Sequence, residues 1–291
     1  MKRENNGPAA GAAADEGVIT RPVPSSGERV PAIGLGTWVA FNVAEIEKLR
    51  RQRLEVLRAF FDLGGGLIDS SPMYGASEEV IGWCLQRLEA REGLIAATKV
   101  WTPSGEKGRE QIAGSRRLWG LETFDVMQVH NLVNWRGHLE TLRAEKEAGR
   151  VRYIGVTTSH GSRHPEMERV MRETPVDFVQ FTYNIQDREA ESRLLPLAAE
   201  RGLAVIVNRP FREKQLIGRL RDKPLPDWAA EIDCANWAQF LLKFIISHSA
   251  VTCAIPATSR VDHVTENMGA MRGRLPDADM RRRMVEYVEE L

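Results

Sequence analysis

The sequence predicts a (β/α)8 barrel of the TIM type, preceded by a short N-terminal β-hairpin and followed by an extra C-terminal helix. Three observations predict it. Short apolar runs alternate with helix-length amphipathic stretches eight times over. The runs are apolar at successive positions, as parallel strands covered on both faces must be. No GxGxxG or GxxxxGK[ST] follows the first strand, although a doubly wound sheet, the other architecture with this alternation, usually carries one. A length of 291 residues suits a single barrel.

The elements follow in order. Residues 1–17 are rich in Ala, Gly and Asn and read as a disordered leader, which leaves 18–291 for the barrel. Two extended runs flank Ser25-Ser26-Gly27 and predict the hairpin, and GLGTW at 34–38 holds the first barrel strand. A helix over 44–62 places Ile46, Leu49, Leu54, Leu57 and Phe60 on one face and stops at Gly64-Gly65-Gly66. The second strand is 67–69, and the other six are 94–101, 124–131, 151–158, 178–184, 204–210 and 251–256. Helices are predicted near 77–91, 107–118, 136–149, 165–173, 188–202, 235–249 and 261–271, with a last one over 277–290. The stretch 212–233, with Gly218, Pro224 and Pro226, reads as a long irregular connection of the kind that forms lids.

Composition narrows the function classes. Forty Lys and Arg balance forty Asp and Glu, so no charge excess draws the chain to nucleic acid or to an anionic membrane. Hydrophobic residues at 43% exclude disorder as the main state. Cys84, Cys234 and Cys253 lie far apart with no metal-ligand spacing, and no strand carries an HxH pair, so neither a disulfide framework nor a metal centre is expected. With no apolar run of membrane length and no signal-peptide core, the protein is expected to be cytoplasmic.

Chemistry is expected where barrel strands run out into loops. Asp69 ends the second strand, with Tyr74 five residues on; Lys99 lies in the third, His130 at the end of the fourth, and Gln180 and Asn184 in the sixth. Singly, each has an ordinary structural explanation as a turn, snorkelling or packing residue. Together they fall on one rim. Lys99 follows LIAAT, so its ammonium must be nearly buried and needs a partner, for which Asp69 on the adjacent strand is nearest. A phenol with pKa about 10 releases its proton more readily beside an ammonium. A neighbouring imidazole can orient a carbonyl oxygen.

These segments, GLGTW (34–38), IDSSPMYG (68–75), ATKV (97–100), QVHN (128–131), RYIGVTTS (152–159), VQFTYN (179–184) and IPATSRVDHVTEN (255–267), resemble the aldo-keto reductase family in order and spacing. The resemblance implies reduction of a small aldehyde or ketone by NADPH, preferred over NADH, without a metal. It makes Tyr74 the general acid, tuned by Lys99 and Asp69, and gives His130 the substrate carbonyl. It places the cofactor against Gly36, Thr37, Trp38, Thr157, Thr158, Gln180, Asn208, Arg209 and Pro210. It sets Thr258 and Arg260 near a 2′-phosphate and Glu266 and Asn267 near the adenine, with Ser259 and His263 also among the cofactor-binding positions. Trp38 and Trp101 would line the substrate pocket. Three positions depart from the family pattern: Thr157-Thr158 replaces Ser-Asn, Asn208-Arg209 stands where an aromatic often stacks on the nicotinamide, and His263 replaces a second basic residue. A regulatory barrel that binds the nucleotide with little turnover is the competing reading.

Overall fold

The computed structural model describes residues 17–291, so nearly all of the expected leader lies outside the described residues. Strands β1 (Thr20–Pro22) and β2 (Arg29–Pro31) pair antiparallel as the hairpin. Eight parallel strands then follow in sequence order: β3 (Leu35–Gly36), β4 (Leu67–Asp69), β5 (Ile95–Val100), β6 (Phe124–Val129), β7 (Val151–Thr157), β8 (Phe178–Thr182), β9 (Ala204–Asn208) and β10 (Cys253–Ala254).

The sheet curls until its ends meet. Parallel bridges join Ile33 to Ala254 and Gly36 to Ala257, and the Gly34 and Gly36 N–H groups donate to Ala254 and Pro256 carbonyls at 2.9 and 3.0 Å. Glycine is required at this seam, because a Cβ on Gly36 would sit 2.8 Å from the Ile255 carbonyl oxygen.

Each strand-to-strand connection carries helix: α1 (Glu47–Asp62), α2 (Ser77–Leu85), α3 (Gly105–Trp119), α4 (Trp135–Glu147), α5 (His164–Glu173), α6 (Leu194–Arg201), then α7 (Gln215–Leu220) and α8 (Trp237–Ile246) together. Beyond β10 come α9 (Val261–Gly269) and the terminal α10 (Ala278–Glu290). One apolar core lies between strands and helices. A second fills the barrel, where Leu67, Ile95, Val126, Phe178, Ile206 and Cys253 meet Val23 and Val30 of the hairpin, which therefore closes the N-terminal end. Tyr153 and Arg152 hold the hairpin in place by bonding Glu28 at 2.7 and 2.6 Å.

Most elements are shorter than the sequence reading by a few residues at their ends, and three differences have a local cause. Helix α2 stops at Leu85, six residues early, because the N–H groups of Arg87 and Leu88 both turn back to the Cys84 carbonyl. Helix α6 starts at Leu194, because Pro196 in its first turn has no N–H and bars helical pairing further upstream. The stretch 212–233 is not irregular throughout: it contains α7, anchored by buried Leu216 and Leu220 one helical turn apart, and a 3-10 segment over Asp227–Ile232. Among the described residues no helix is long and apolar enough to cross a membrane.

Candidate active site

Parallel register brings the polar strand ends together. Asp69 lies opposite Ala97 across β4 and β5, and side chains alternate along β5, so Lys99 faces the barrel axis one step beyond Ala97. The fully buried Lys99 ammonium donates to Asp69 Oδ2 at 2.5 Å and to the Ser70 carbonyl at 2.8 Å. Asp69 Oδ1 accepts from Gln180 Nε2 at 3.0 Å, and Thr37 Oγ1 donates to the Asp69 carbonyl at 2.9 Å. Burial alone would lower the Lys99 pKa, but the Asp69 carboxylate and Tyr74 outweigh it and carry the pKa above its ordinary value.

Tyr74 sits in the turn that follows β4, braced by Ser77 Oγ, which donates to its carbonyl at 2.8 Å. Its ring centroid lies 5.2 Å from Lys99 Nζ and 5.7 Å from the His130 ring, edge to face at 86°. Burial raises the phenol pKa, and Lys99 pulls against that rise by charge and by hydrogen bonding. The net direction is upward. The ammonium thus eases deprotonation relative to burial alone while the resting phenol stays protonated.

His130 follows β6 and is nearly buried. Desolvation, then the Lys99 charge, depresses its pKa to about 2, so the imidazole is neutral. Its Nδ1 lies 2.8 Å from Ser71 Oγ, which accepts the Met73 N–H at 3.2 Å.

The remaining predicted positions form two groups. At the ends of β7 to β9, Thr157 Oγ1 accepts the Asn131 N–H at 3.3 Å, and the Thr158 N–H donates to the Gln180 carbonyl at 2.9 Å. The buried Thr158 hydroxyl has no partner among the described residues. Asn208 Nδ2 donates to the Thr158 carbonyl at 2.8 Å, and Asn208 Oδ1 meets Thr182 Oγ1 at 2.9 Å. Arg209, at φ 52° just before Pro210, donates to the Ser159 carbonyl at 3.0 Å and pairs with Glu213 at 3.2 Å. These two side chains tie strand ends together in the place where an aromatic was looked for.

The second group surrounds the start of α9. Thr258 Oγ1 accepts the Arg260 N–H at 3.2 Å, and the Ser259 carbonyl accepts from Arg53 at 3.4 Å. Arg260 occupies the N-cap, and no side chain caps the helix. Its guanidinium pairs with Asp262 through Nε–Oδ1 at 2.9 Å and through Nη2–Oδ2. His263 and Glu266 are exposed, and Asn267 is buried. Gly36 links the two ends of the site, since it pairs with Asp69 on one side and with Ala257 on the other.

Trp38 lies two residues beyond β3 and Trp101 directly follows β5; they are 46% and 40% exposed, and Met73, beside Tyr74, is 42% exposed. Among the described residues no group of three or more His, Cys, Asp or Glu is placed to hold a metal.

Three residues of this rim received no role from the sequence: Ser71, Asp262 and Glu78. Glu78 is buried in α2 and accepts from Thr98 Oγ1 at 2.6 Å, Ser115 Oγ at 3.0 Å and Trp119 Nε1 at 3.1 Å. It thereby ties the helix after Tyr74 to the strand that bears Lys99. The signal was periodicity: Glu78 shares the inner face of α2 with Ile81, Gly82 and Leu85, whereas Glu79 pairs outward with Arg50.

Comparison with known proteins shows what the chain is similar to. The model of the Aldo/keto reductase family matches residues 32–284. Methylglyoxal reductase YeaE of Escherichia coli (strain K12) is 28% identical over 263 residues, covering 86% of this chain and 89% of that protein. The NADH-specific methylglyoxal reductase of the same organism is 26% identical over 318 residues, covering 88% and 95%. A crystal structure of an aldo/keto reductase from Klebsiella pneumoniae in complex with NADP and acetate superposes with TM-score 0.74 at 26% identity, covering 90% of this chain and 93% of that one.

Proposed function

The chain belongs to the aldo/keto reductase family, and from that premise we propose that it reduces an aldehyde or ketone to the alcohol with NADPH, Tyr74 acting as general acid. The observation that carries the reading is the buried Asp69–Lys99 pair set beside the phenol of Tyr74. Bound NADPH supplies the hydride. Everything else falls to the protein's own groups.

Tyr74 enters the reaction protonated, because burial holds its pKa up. As negative charge develops on the carbonyl oxygen, the phenol gives up its proton to that oxygen. The Lys99 ammonium, fixed by Asp69, stabilises the phenolate left behind. His130 is neutral and has one N–H to place. While accepting the Met73 N–H, Ser71 Oγ can also donate its proton to His130 Nδ1; in that arrangement the imidazole proton sits on Nε2, where it can orient the substrate oxygen.

The rim fits the cofactor in both of its groups. The unpartnered, buried Thr158 hydroxyl, with Thr157, Gln180 and Asn208 around it, offers a polar cradle for the nicotinamide carboxamide. Gly36, Thr37, Trp38, Arg209 and Pro210 would border the same cleft. The uncapped start of α9 presents free N–H groups to the adenosine end, with Thr258, Ser259, Arg260, His263, Glu266 and Asn267 about it. Trp38 and Trp101 supply apolar walls for the substrate. The catalytic unit is residues 18–291, and its setting is the cytoplasm.

Quenching of tryptophan fluorescence on adding NADPH, followed by loss of the cofactor's near-ultraviolet absorbance with a panel of aldehydes and ketones, tests the reading. Turnover is expected. Binding without turnover across the whole panel would instead make the barrel a nucleotide-responsive regulator.

A further inference from the structure

We propose that Asp262 sets how strongly this chain prefers a 2′-phosphorylated dinucleotide, by engaging the Arg260 guanidinium that the phosphate must recruit. The inference rests on the reading of the α9 start as the adenosine end of the cofactor site.

Asp262 is the second residue of α9, and Arg260 is its N-cap. Both arms of the guanidinium fork face the Asp262 carboxylate, through Nε–Oδ1 at 2.9 Å and through Nη2–Oδ2. The same Oδ1 also takes the His263 backbone N–H at 3.1 Å. Bidentate guanidinium contacts and free N–H groups at a helix start are what a phosphate would use. Here the guanidinium and one of those N–H groups, that of His263, already serve a carboxylate of this chain. Arg260 in turn holds Asp262 well below the ordinary carboxylate range, so the competing charge persists at every working pH.

The local charge balance points the same way. Within the segment from Thr258 to Asn267 one Arg, Arg260, stands against two acids, Asp262 and Glu266; outside it Arg53 reaches only the Ser259 carbonyl. A 2′-phosphate dianion must draw Arg260 off Asp262 and then remain beside that carboxylate. A 2′-hydroxyl bears no charge and can donate a hydrogen bond to it. Arg260 and Asp262 are 63% and 57% exposed, so their pairing is weak enough to exchange. Asp262 is therefore a brake on 2′-phosphate preference: it narrows the margin between NADPH and NADH without removing it.

The test is fluorescence titration of the intact native protein, Asp262→Asn, Asp262→Glu and Arg260→Ala with NADPH and with NADH, with no carbonyl substrate present. Asp262→Asn is expected to tighten NADPH roughly threefold to tenfold, a change on the scale of one surface charge interaction. NADH should change by less than about twofold, which is within the noise of an exposed substitution. Asp262→Glu, which keeps the charge, should stay near the native ratio, and Arg260→Ala should weaken NADPH far more than NADH. An unchanged NADPH-to-NADH ratio in Asp262→Asn, or equal tightening of both, overturns the proposal. Equal weakening of both nucleotides by Arg260→Ala overturns it too, by moving the 2′-phosphate elsewhere, while the reductase reading, which rests on Tyr74 and Lys99, stands. If the native protein binds neither nucleotide, both fall.

Discussion

Ser71 Oγ lies 2.8 Å from His130 Nδ1 while accepting the Met73 N–H at 3.2 Å, so one hydroxyl joins the turn that presents Tyr74 to the imidazole beside it. With Ser71 donating to Nδ1, as in the proposed mechanism, Ser71→Ala removes the donor that holds the imidazole proton on Nε2. Turnover should fall roughly tenfold to a hundredfold, the scale of a misassigned hydrogen-bond donor to a developing oxyanion, with NADPH affinity unchanged. Native turnover in this variant would remove Ser71 from the tautomer assignment.

Tyr74→Phe deletes the transferable proton and little else. NADPH should bind as before, while turnover drops by about a hundredfold to ten-thousandfold, the range of a lost general acid. Parallel quenching and steady-state measurements separate the two. A variant that still turns over at a native rate would need another proton donor.

Asp69→Asn leaves Lys99 buried without its carboxylate, and removing one partner of a buried pair costs about 3–5 kcal/mol. Urea unfolding should register that loss. Burial, no longer opposed by Asp69, then pushes the Lys99 pKa down. The residual activity should decline as pH rises through the new value, because only the ammonium form can stabilise a phenolate. Residual activity that climbs with pH would contradict the role given to Lys99.

His130 makes stability depend on pH with a definite sign. Its folded pKa is about 2, against an ordinary histidine value of about 6.5, so between these the unfolded chain binds the extra proton. Stability from this residue is fully present above the unfolded value and is lost as pH falls toward the folded one, by up to about 1.4 kcal/mol per pH unit. Replacing His130 with Gln should flatten the pH dependence of the urea midpoint between roughly pH 6.5 and 4.5, a window set by that unfolded value. Equal slopes in the two proteins would mean that the imidazole titrates normally.

The strand ends were readable because barrel strands announce themselves as doubly apolar runs. A charged residue at the end of one, such as Lys99 after LIAAT, then has few places to go. Helix ends were less readable, because they are settled by local competition: Pro196 cuts α6, and the turn onto the Cys84 carbonyl cuts α2. Charge balance at the acid was legible in part. The ammonium does favour the phenolate, but the burial of Tyr74 depends on how loops close over it and outweighs the ammonium. Glu78 was legible only through its place on the inner face of α2, and Asp262 carried no such signal. Each is an acid at the start of a helix, one turned inward to three donors and one turned back onto Arg260, and composition does not distinguish them.

The seam has a consequence for how the chain is made. Ile33 and Gly36 meet Ala254 and Ala257, partners more than two hundred residues away, so β3 keeps an open edge until the chain has been made past residue 257. Ring closure is then a late, long-range event that favours slow maturation, and a nascent chain stalled before residue 253 would display two unpaired margins to its neighbours.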